Sequence, residues 1–228
     1  MATINARVVQ AIGSAQEVRD LEFPPLSQWC NSAGKRVFDL VCAMVFLICA
    51  SPLMLVAALA VATTPGPLFF AADRVGQGGK RIRVLKFRTM VDRKELGMQL
   101  TRTGDGRVTK AGRFLRQWKI DELPQLINVI LGDMSLVGPR PDSAEFLNAL
   151  ADDLQCVRAI RPGITSVATL KFRNEEDVLS RVLEKELTSF YIKTHLPQKV
   201  QLDLEYARRA SMLTDLKLLL KTMAATLR

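Results

Sequence analysis

Two adjacent carboxylates, Asp121 and Glu122, head an apolar segment in Lys119-Ile-Asp-Glu-Leu-Pro-Gln-Leu-Ile-Asn128, and Arg140 follows between Pro139 and Pro141. These residue types suit phosphate chemistry. A carboxylate can attack phosphorus to form an acyl phosphate, which splits one group transfer into two steps. Arginine carries a planar fork of donors that matches phosphate oxygens. A structural reading stands beside this one, because an acidic pair ahead of an apolar run also marks a helix N-terminus, where carboxylates meet the positive end of the macrodipole. What separates the two readings is the company the pair keeps.

Proline is tolerated in a helix only in its first turn, so Pro124 sets the carboxylates at or just before a helix start. Ahead of them, Thr109 to Trp118 reads as a short amphipathic helix with Arg113 and Arg116 close together. Further back, Leu68 to Val75 and the β-rich run Lys80 to Thr89 flank Gly76-Gln-Gly-Gly79, the pattern of a β-hairpin. A glycine-rich phosphate loop is the alternative there, but neither GxxxxGK[ST] nor GxGxxG is present. Downstream, Gly132 to Pro141 reads as a loop, Ser143 to Val157 as helix and Arg161 to Thr165 as another loop. The remainder is charged and mainly helical. Leu213 to Leu227 has apolar residues at helical spacing, with Lys217 and Lys221 on another side, and is expected to pack on the core in preference to lying on a membrane surface.

From Leu40 to Ala62 no residue is charged. A straight helix of about 23 residues would rise roughly 34 Å and could cross a bilayer core of about 30 Å. Two features argue against a spanning helix. Ser51-Pro52 sits at its midpoint, where proline lacks an N–H and its ring crowds the carbonyl four residues back, so a kink is expected with arms too short to span. Basic residues also flank both ends: Lys35 and Arg36 before, then Arg74, Lys80, Arg81 and Arg83 after, which by the positive-inside tendency keeps both ends in the cytoplasm. The expected element is a re-entrant helical hairpin, with Ser51 placed to satisfy the carbonyl freed near Ile48.

The chain has 228 residues, 48% of them hydrophobic, enough for a sizeable core, and a formal net charge of +9. That excess is localised. Residues 1 to 39 hold four Lys/Arg and four Asp/Glu, whereas residues 74 to 119 hold fourteen against three. Such a patch suits anionic headgroups, nucleic acid or a phosphorylated substrate, or is simply a solvated basic face. Cys30, Cys42, Cys49 and Cys156 show no CxxC spacing, which argues against a disulfide framework and a zinc site. The lone His195 reads as structural. Residues 1 to about 32 read as an extension with a short helix before Phe23, and no export signal is expected in them.

At this density of fragments the chain resembles the monotopic phosphoglycosyl transferases, bacterial sugar transferases of the undecaprenyl-phosphate type. The matching pieces are Lys35-Arg-Val-Phe-Asp39, Ser51-Pro52, Pro65-Gly-Pro67, Asp73-Arg-Val-Gly76, Lys86-Phe-Arg-Thr-Met90, Thr109 to Arg116, Asp121 to Leu126, Asn128-Val129, Ser135 to Pro141, Arg161 to Thr165 and Asp215-Leu-Lys217, in order. The resemblance implies that Asp121 attacks the sugar-linked phosphate of a nucleoside diphosphate sugar, usually a UDP-sugar, and expels the nucleoside monophosphate. A polyprenol (undecaprenyl) phosphate then takes the phosphosugar. Glu122 is implied as orienter, Mg²⁺ ligand or base. Mg²⁺ is the implied cofactor, with Asp121 as its ligand. Lys86, Arg88, Arg113, Arg116, Pro139, Arg140, Pro141 and Arg173 are implied substrate-binding residues, and Ser51 and Pro52 the helix-breaking pair of the membrane hairpin.

The expected fold is mainly α with a small β-hairpin: an N-terminal extension (1–33), a re-entrant membrane helix (34–64) and a compact cytoplasmic catalytic domain with surface helices (65–228). The implied place is the cytoplasmic face of a bacterial inner membrane, in contact with membrane lipid, with no nucleic acid as a macromolecular partner and no multi-span membrane domain ahead of the match. A homodimer is compatible with all of this. Two departures bear on the donor. Ala71-Ala72 stand where the family usually has Arg-Gln, and Ser166 to Arg173, with Asn174 to Leu202 after it, differs from the common pattern; both are expected to border the sugar. The competing class is a non-catalytic, membrane-anchored basic module for anionic lipid or nucleic acid.

Overall fold

The computed structural model describes residues 25–91 and 105–226. The short helix expected before Phe23, and most of the charged interval after Thr89, lie outside them. Ser32 opens the longest element, its hydroxyl accepting the Lys35 N–H at 3.0 Å, and helix α1 then runs over Ala33–Ala62. It is long and apolar enough to cross a membrane, and only 11% of its most apolar window is buried. Val41, Ile48, Leu55, Val56 and Leu59 are all more than half exposed, so most of this surface is apolar and uncovered by protein.

Here the sequence expectation needs correcting. Pro52 lies inside one continuous helix of 30 residues, not between two separate arms. The physical reason is local: the carbonyl that Pro52 cannot serve is that of Ile48, and the Ser51 hydroxyl donates to it at 2.8 Å. The anticipated compensation is present, and helical pairing persists through the proline.

The polar residues at the start of α1 each hold a different part of the protein. Lys35 pairs with Asp215 at 2.5 Å in helix α9 (Met212–Thr226), buried at both ends. Arg36 donates to the carbonyls of Val129 and Ile130 at 2.5 and 2.8 Å, at the C-terminus of helix α3 (Gln125–Leu131). Asp39 accepts from the Ser135 hydroxyl and the Leu136 N–H on strand β3 (Ser135–Val137). Three successive anchors thus fix the helix axis against the domain. The far end of α1 is held by packing, since Ala57 and Val61 form a second small core with Phe87, Leu115 and Ile120.

Strands β1 (Phe69–Val75) and β2 (Arg81–Phe87) form the expected antiparallel hairpin, Phe69 opposite Phe87 and Val75 opposite Arg81. Helix α2 (Lys110–Gln117) follows, capped by Thr109. A 3₁₀ turn over Ile120–Glu122 then leads into α3. The two stretches expected to be loops are corrected: each contains a three-residue strand, and β3 pairs in parallel with β4 (Gly163–Thr165). Between them, the expected helix from Ser143 to Val157 is two pieces, α4 (Ala144–Asn148) and a 3₁₀ stretch over Asp152–Ala159. Helices α5 (Val167–Lys171), α6 (Glu175–Ser180) and α7 (Glu184–Phe190) follow, and a π-helical turn over Tyr191–His195 joins α7 to α8 (Leu196–Arg208). The main core gathers Met134, Leu136, Leu154, Leu187, Leu196 and Leu204. Helix α9 buries Leu219 in it, the packing on the core expected from sequence, while Leu213, Leu216 and Leu220 stay exposed.

Candidate active site

Lys119 sets up the site through an unusual backbone. At φ 53° it is the only non-glycine residue of positive φ among the described residues, and it turns the chain from α2 into the 3₁₀ turn. A left-handed non-glycine residue costs roughly 1–2 kcal/mol and persists where its surroundings over-determine it. Here Ile120 is buried against the C-terminal part of α1. Asp121 and Glu122 therefore sit directly beside α1, just ahead of α3, as Pro124 required.

The two carboxylates have opposite surroundings. Glu122 Oε1 accepts from Lys86 Nζ at 2.7 Å and from Arg140 Nη2 at 2.8 Å. Burial works to raise the Glu122 pKa, but the charges of Arg140 and Lys86 outweigh it and hold the carboxyl well below its usual range. Asp121 is 5% exposed, and its Oδ1 is buried with no hydrogen-bond partner. Burial first, and the Glu122 charge second, push it up to about 6, against the opposing pull of Lys86, Arg116 and Lys119. One acid is thus locked and ionised. The other is poised and unsatisfied, the condition expected of a reacting group.

Lys86 reaches the pair because β2 is clamped to α3. The Asn128 side chain accepts from the Leu85 N–H at 2.9 Å and donates to the Arg83 carbonyl at 2.8 Å, imitating a neighbouring strand. Sequence reasoning included Asn128 in a fragment but gave it no role. Arg140 arrives by close approach of two loops: Gly163 N–H donates to Pro139 O at 2.8 Å and Gly138 N–H to Thr165 O at 3.0 Å. A Cβ on Gly163 would lie 2.1 Å from the Gly138 nitrogen, so neither loop tolerates a side chain there.

The remaining sequence candidates divide. Arg116 is near enough to act on Asp121 and lies 3.5 Å from Glu176. Pro139 is buried and Pro141 half-buried on the Arg140 loop. Arg88 is occupied elsewhere: its guanidinium donates to the carbonyls of Thr64, Pro65 and Pro67, which pins the turn leaving α1. Arg113 and Arg173 are exposed, and neither is in contact with the dyad. Ser51 and Pro52 lie in the middle of α1, ahead of the Met54–Val61 stretch that packs around Ile120. His195 is buried against Phe172, Phe190 and Tyr191, 3.1 Å from Glu175.

As for a metal, no cluster of three or more His, Cys, Asp or Glu suited to one occurs among the described residues. With Glu122 Oε1 committed to Lys86 and Arg140, Asp121 offers a buried oxygen with no partner. That fits Mg²⁺, which characteristically takes one or two carboxylates plus substrate phosphates.

The chain matches the bacterial sugar transferase family over residues 30–228. It is 36% identical over 209 residues to the UDP-glucose:undecaprenyl-phosphate glucose-1-phosphate transferase of Caulobacter vibrioides, covering 89% of this chain and 73% of that protein. An Escherichia coli protein of the same description is 38% identical over 85% of this chain, and the undecaprenyl-phosphate galactose phosphotransferase of Salmonella typhimurium is 38% identical over 70%. The chain spans only 40% and 36% of the length of those two proteins. With the dyad, its basic partners and the apolar helix all inside the matched region, the chain belongs to the bacterial sugar transferase family and is an enzyme.

Proposed function

We propose that the protein transfers a sugar 1-phosphate from a UDP-sugar to undecaprenyl phosphate through a covalent intermediate on Asp121, releasing UMP. The observation that carries this is the unpaired Asp121 oxygen beside a Glu122 locked by Lys86 and Arg140. An Asp121 oxygen attacks the sugar-linked phosphorus, and the bond from that phosphorus to the bridging oxygen breaks, so that oxygen leaves with UMP. A phosphate oxygen of undecaprenyl phosphate then attacks the same phosphorus and returns Asp121 as a free carboxylate. Arg140 and Lys86 hold the non-bridging oxygens, where charge accumulates. Glu122 orients these two cations, which its fully engaged Oε1 suits better than a role as base. Bound Mg²⁺, held by Asp121 and the pyrophosphate, would offset the donor's charge.

Purified enzyme given undecaprenyl phosphate and a panel of UDP-glucose, UDP-galactose and UDP-N-acetylgalactosamine is expected to release UMP with at least one of them, and to stop when EDTA is added. No UMP from any, with nucleic-acid or lipid binding alone, would favour the basic-module reading.

The helix α1 is proposed as re-entrant, with both ends at the cytoplasmic face of the inner membrane. What supports this is that both ends pack on one domain: Lys35, Arg36 and Asp39 at the start, Ala57 and Val61 near the finish. A helix crossing a bilayer would put those ends on opposite sides. In a variant without the native cysteines, Asn31→Cys and Thr64→Cys are expected to react with an impermeant reagent from the same side; labelling from opposite faces would refute the arrangement.

A further inference from the structure

The segment from Asn174 to Leu202 directs its buried polar residues at the back of the Arg140 loop. Tyr191, His195 and Lys199 recur every four residues and are each 3% exposed. The wide π turn over residues 191–195 offsets the drift that a plain α-helix would give such a spacing, and keeps the three on one side. They form a continuous polar chain. His195 Nε2 lies 3.1 Å from Glu175 Oε1, Lys199 Nζ lies 3.0 Å from the same oxygen, and Lys199 Nζ donates to the Tyr191 hydroxyl at 3.3 Å. That hydroxyl donates in turn to Asp142 Oδ1 at 3.1 Å.

Asp142 is two residues after Arg140, and the Val75 N–H fixes its backbone, donating to its carbonyl at 3.0 Å. Arg140 and Lys199 line one cavity with Asp142 and Asp203. The Arg140 guanidinium is thus set among three carboxylates, with Glu122 in front and Asp142 and Glu175 close enough for their charges to act on it. A guanidinium in such company pairs with whichever carboxylate is least satisfied. Glu175 is satisfied by Lys199, and Asp142 by the Tyr191 hydroxyl with the Arg74 charge nearby.

We propose that the Tyr191 hydroxyl, backed by Lys199 and Glu175, is a positioning group for Arg140: it ties down Asp142, so that Arg140 stays with Glu122 and remains available to the donor's phosphate. The proposal rests on the phosphoglycosyl-transfer reading above. It gives the segment from Asn174 to Leu202 the task of supporting the phosphate-binding arginine.

The test is Tyr191→Phe, which removes one oxygen and keeps the ring packed 4.9 Å from that of Phe146. With whichever of the three UDP-sugars the parent enzyme uses fastest, kcat/KM is expected to fall about tenfold, the scale of one hydrogen bond to a charged group. Adding Asp142→Asn removes the loosened charge and is expected to recover most of that loss, a rescue that a merely structural role for Tyr191 would not allow. An unchanged kcat/KM in Tyr191→Phe, or a loss that Asp142→Asn leaves in place or deepens, would overturn the positioning role alone. A parent enzyme that turns over none of the UDP-sugars would instead overturn the reading beneath it.

Discussion

Asp121→Asn is expected to lower UMP release by about 10⁴-fold or more, the scale on which losing a covalent nucleophile is felt, while leaving membrane association intact. The same substitution should raise thermal stability. A carboxyl whose folded-state pKa lies above its ordinary value costs stability wherever the pH forces it to ionise. For Asp121, raised to about 6 from 3.8, the cost is absent below about pH 4 and complete above about pH 6. Asparagine has the same shape without the charge, so at pH 7.5 the variant should gain on the order of 1–3 kcal/mol. Loss of turnover together with a higher melting temperature separates a reacting group from a structural one. The parent enzyme should show a matching pH profile, in which kcat/KM for the UDP-sugar rises about tenfold per unit up to about pH 6 and is then level. Retained turnover in Asp121→Asn would sink the covalent mechanism, and a profile flat between pH 4.5 and 6.5 would remove Asp121 as the ionising nucleophile.

The parts of this site that were legible in the sequence are those written in adjacent residues. Pro124 located the dyad just before a helix because proline admits one position there, and Ser51 declared its bond to Ile48 because a proline one residue on always frees that carbonyl. The hairpin followed from alternation around Gly76-Gln-Gly-Gly79. What adjacency does not encode was missed. Strands β3 and β4 are three residues each, too short for any alternation, and they exist because Gly138 and Gly163 let two backbones approach. Arg88, one residue from Phe87 in a basic run, looked like its neighbour Lys86; only the fold shows that it serves the carbonyls leaving α1 while Lys86 turns to Glu122. The polar chain behind Arg140 joins positions 142, 175, 191, 195 and 199, a set with no motif in sequence. Local rules thus pointed to the dyad, and tertiary pairing decides which of the surrounding cations reach it.

The largest effect expected on folding lies at the other end of α1. Asp215 is fully buried and takes three donors: Lys35 Nζ at 2.5 Å, the Trp29 indole N–H at 2.9 Å and the Tyr206 hydroxyl. Together they tie the first turn of α1, the 3₁₀ turn over Gln28–Asn31 ahead of it and α8 to α9, which itself lies against the β3–β4 pair that precedes and supports the Arg140 loop. Asp215→Ala leaves the Lys35 ammonium at 3% exposure without its carboxylate, and removing one partner of a buried ion pair costs about 3–5 kcal/mol. Such a loss is a large share of the stability of any single domain, so the variant should unfold far below the parent in detergent and accumulate poorly. Replacing both partners, as Lys35→Met with Asp215→Leu, removes the two charges together and should restore most of the melting temperature, because well-packed apolar substitutes often match a buried pair. If the double variant is stable but its turnover stays low, the ion pair serves chiefly to set the angle at which α1 meets the domain, and with it the depth at which Asp121 meets the lipid phosphate. If the double variant regains both stability and turnover, the pair is a folding device only. A single Asp215→Ala variant as stable as the parent would refute both.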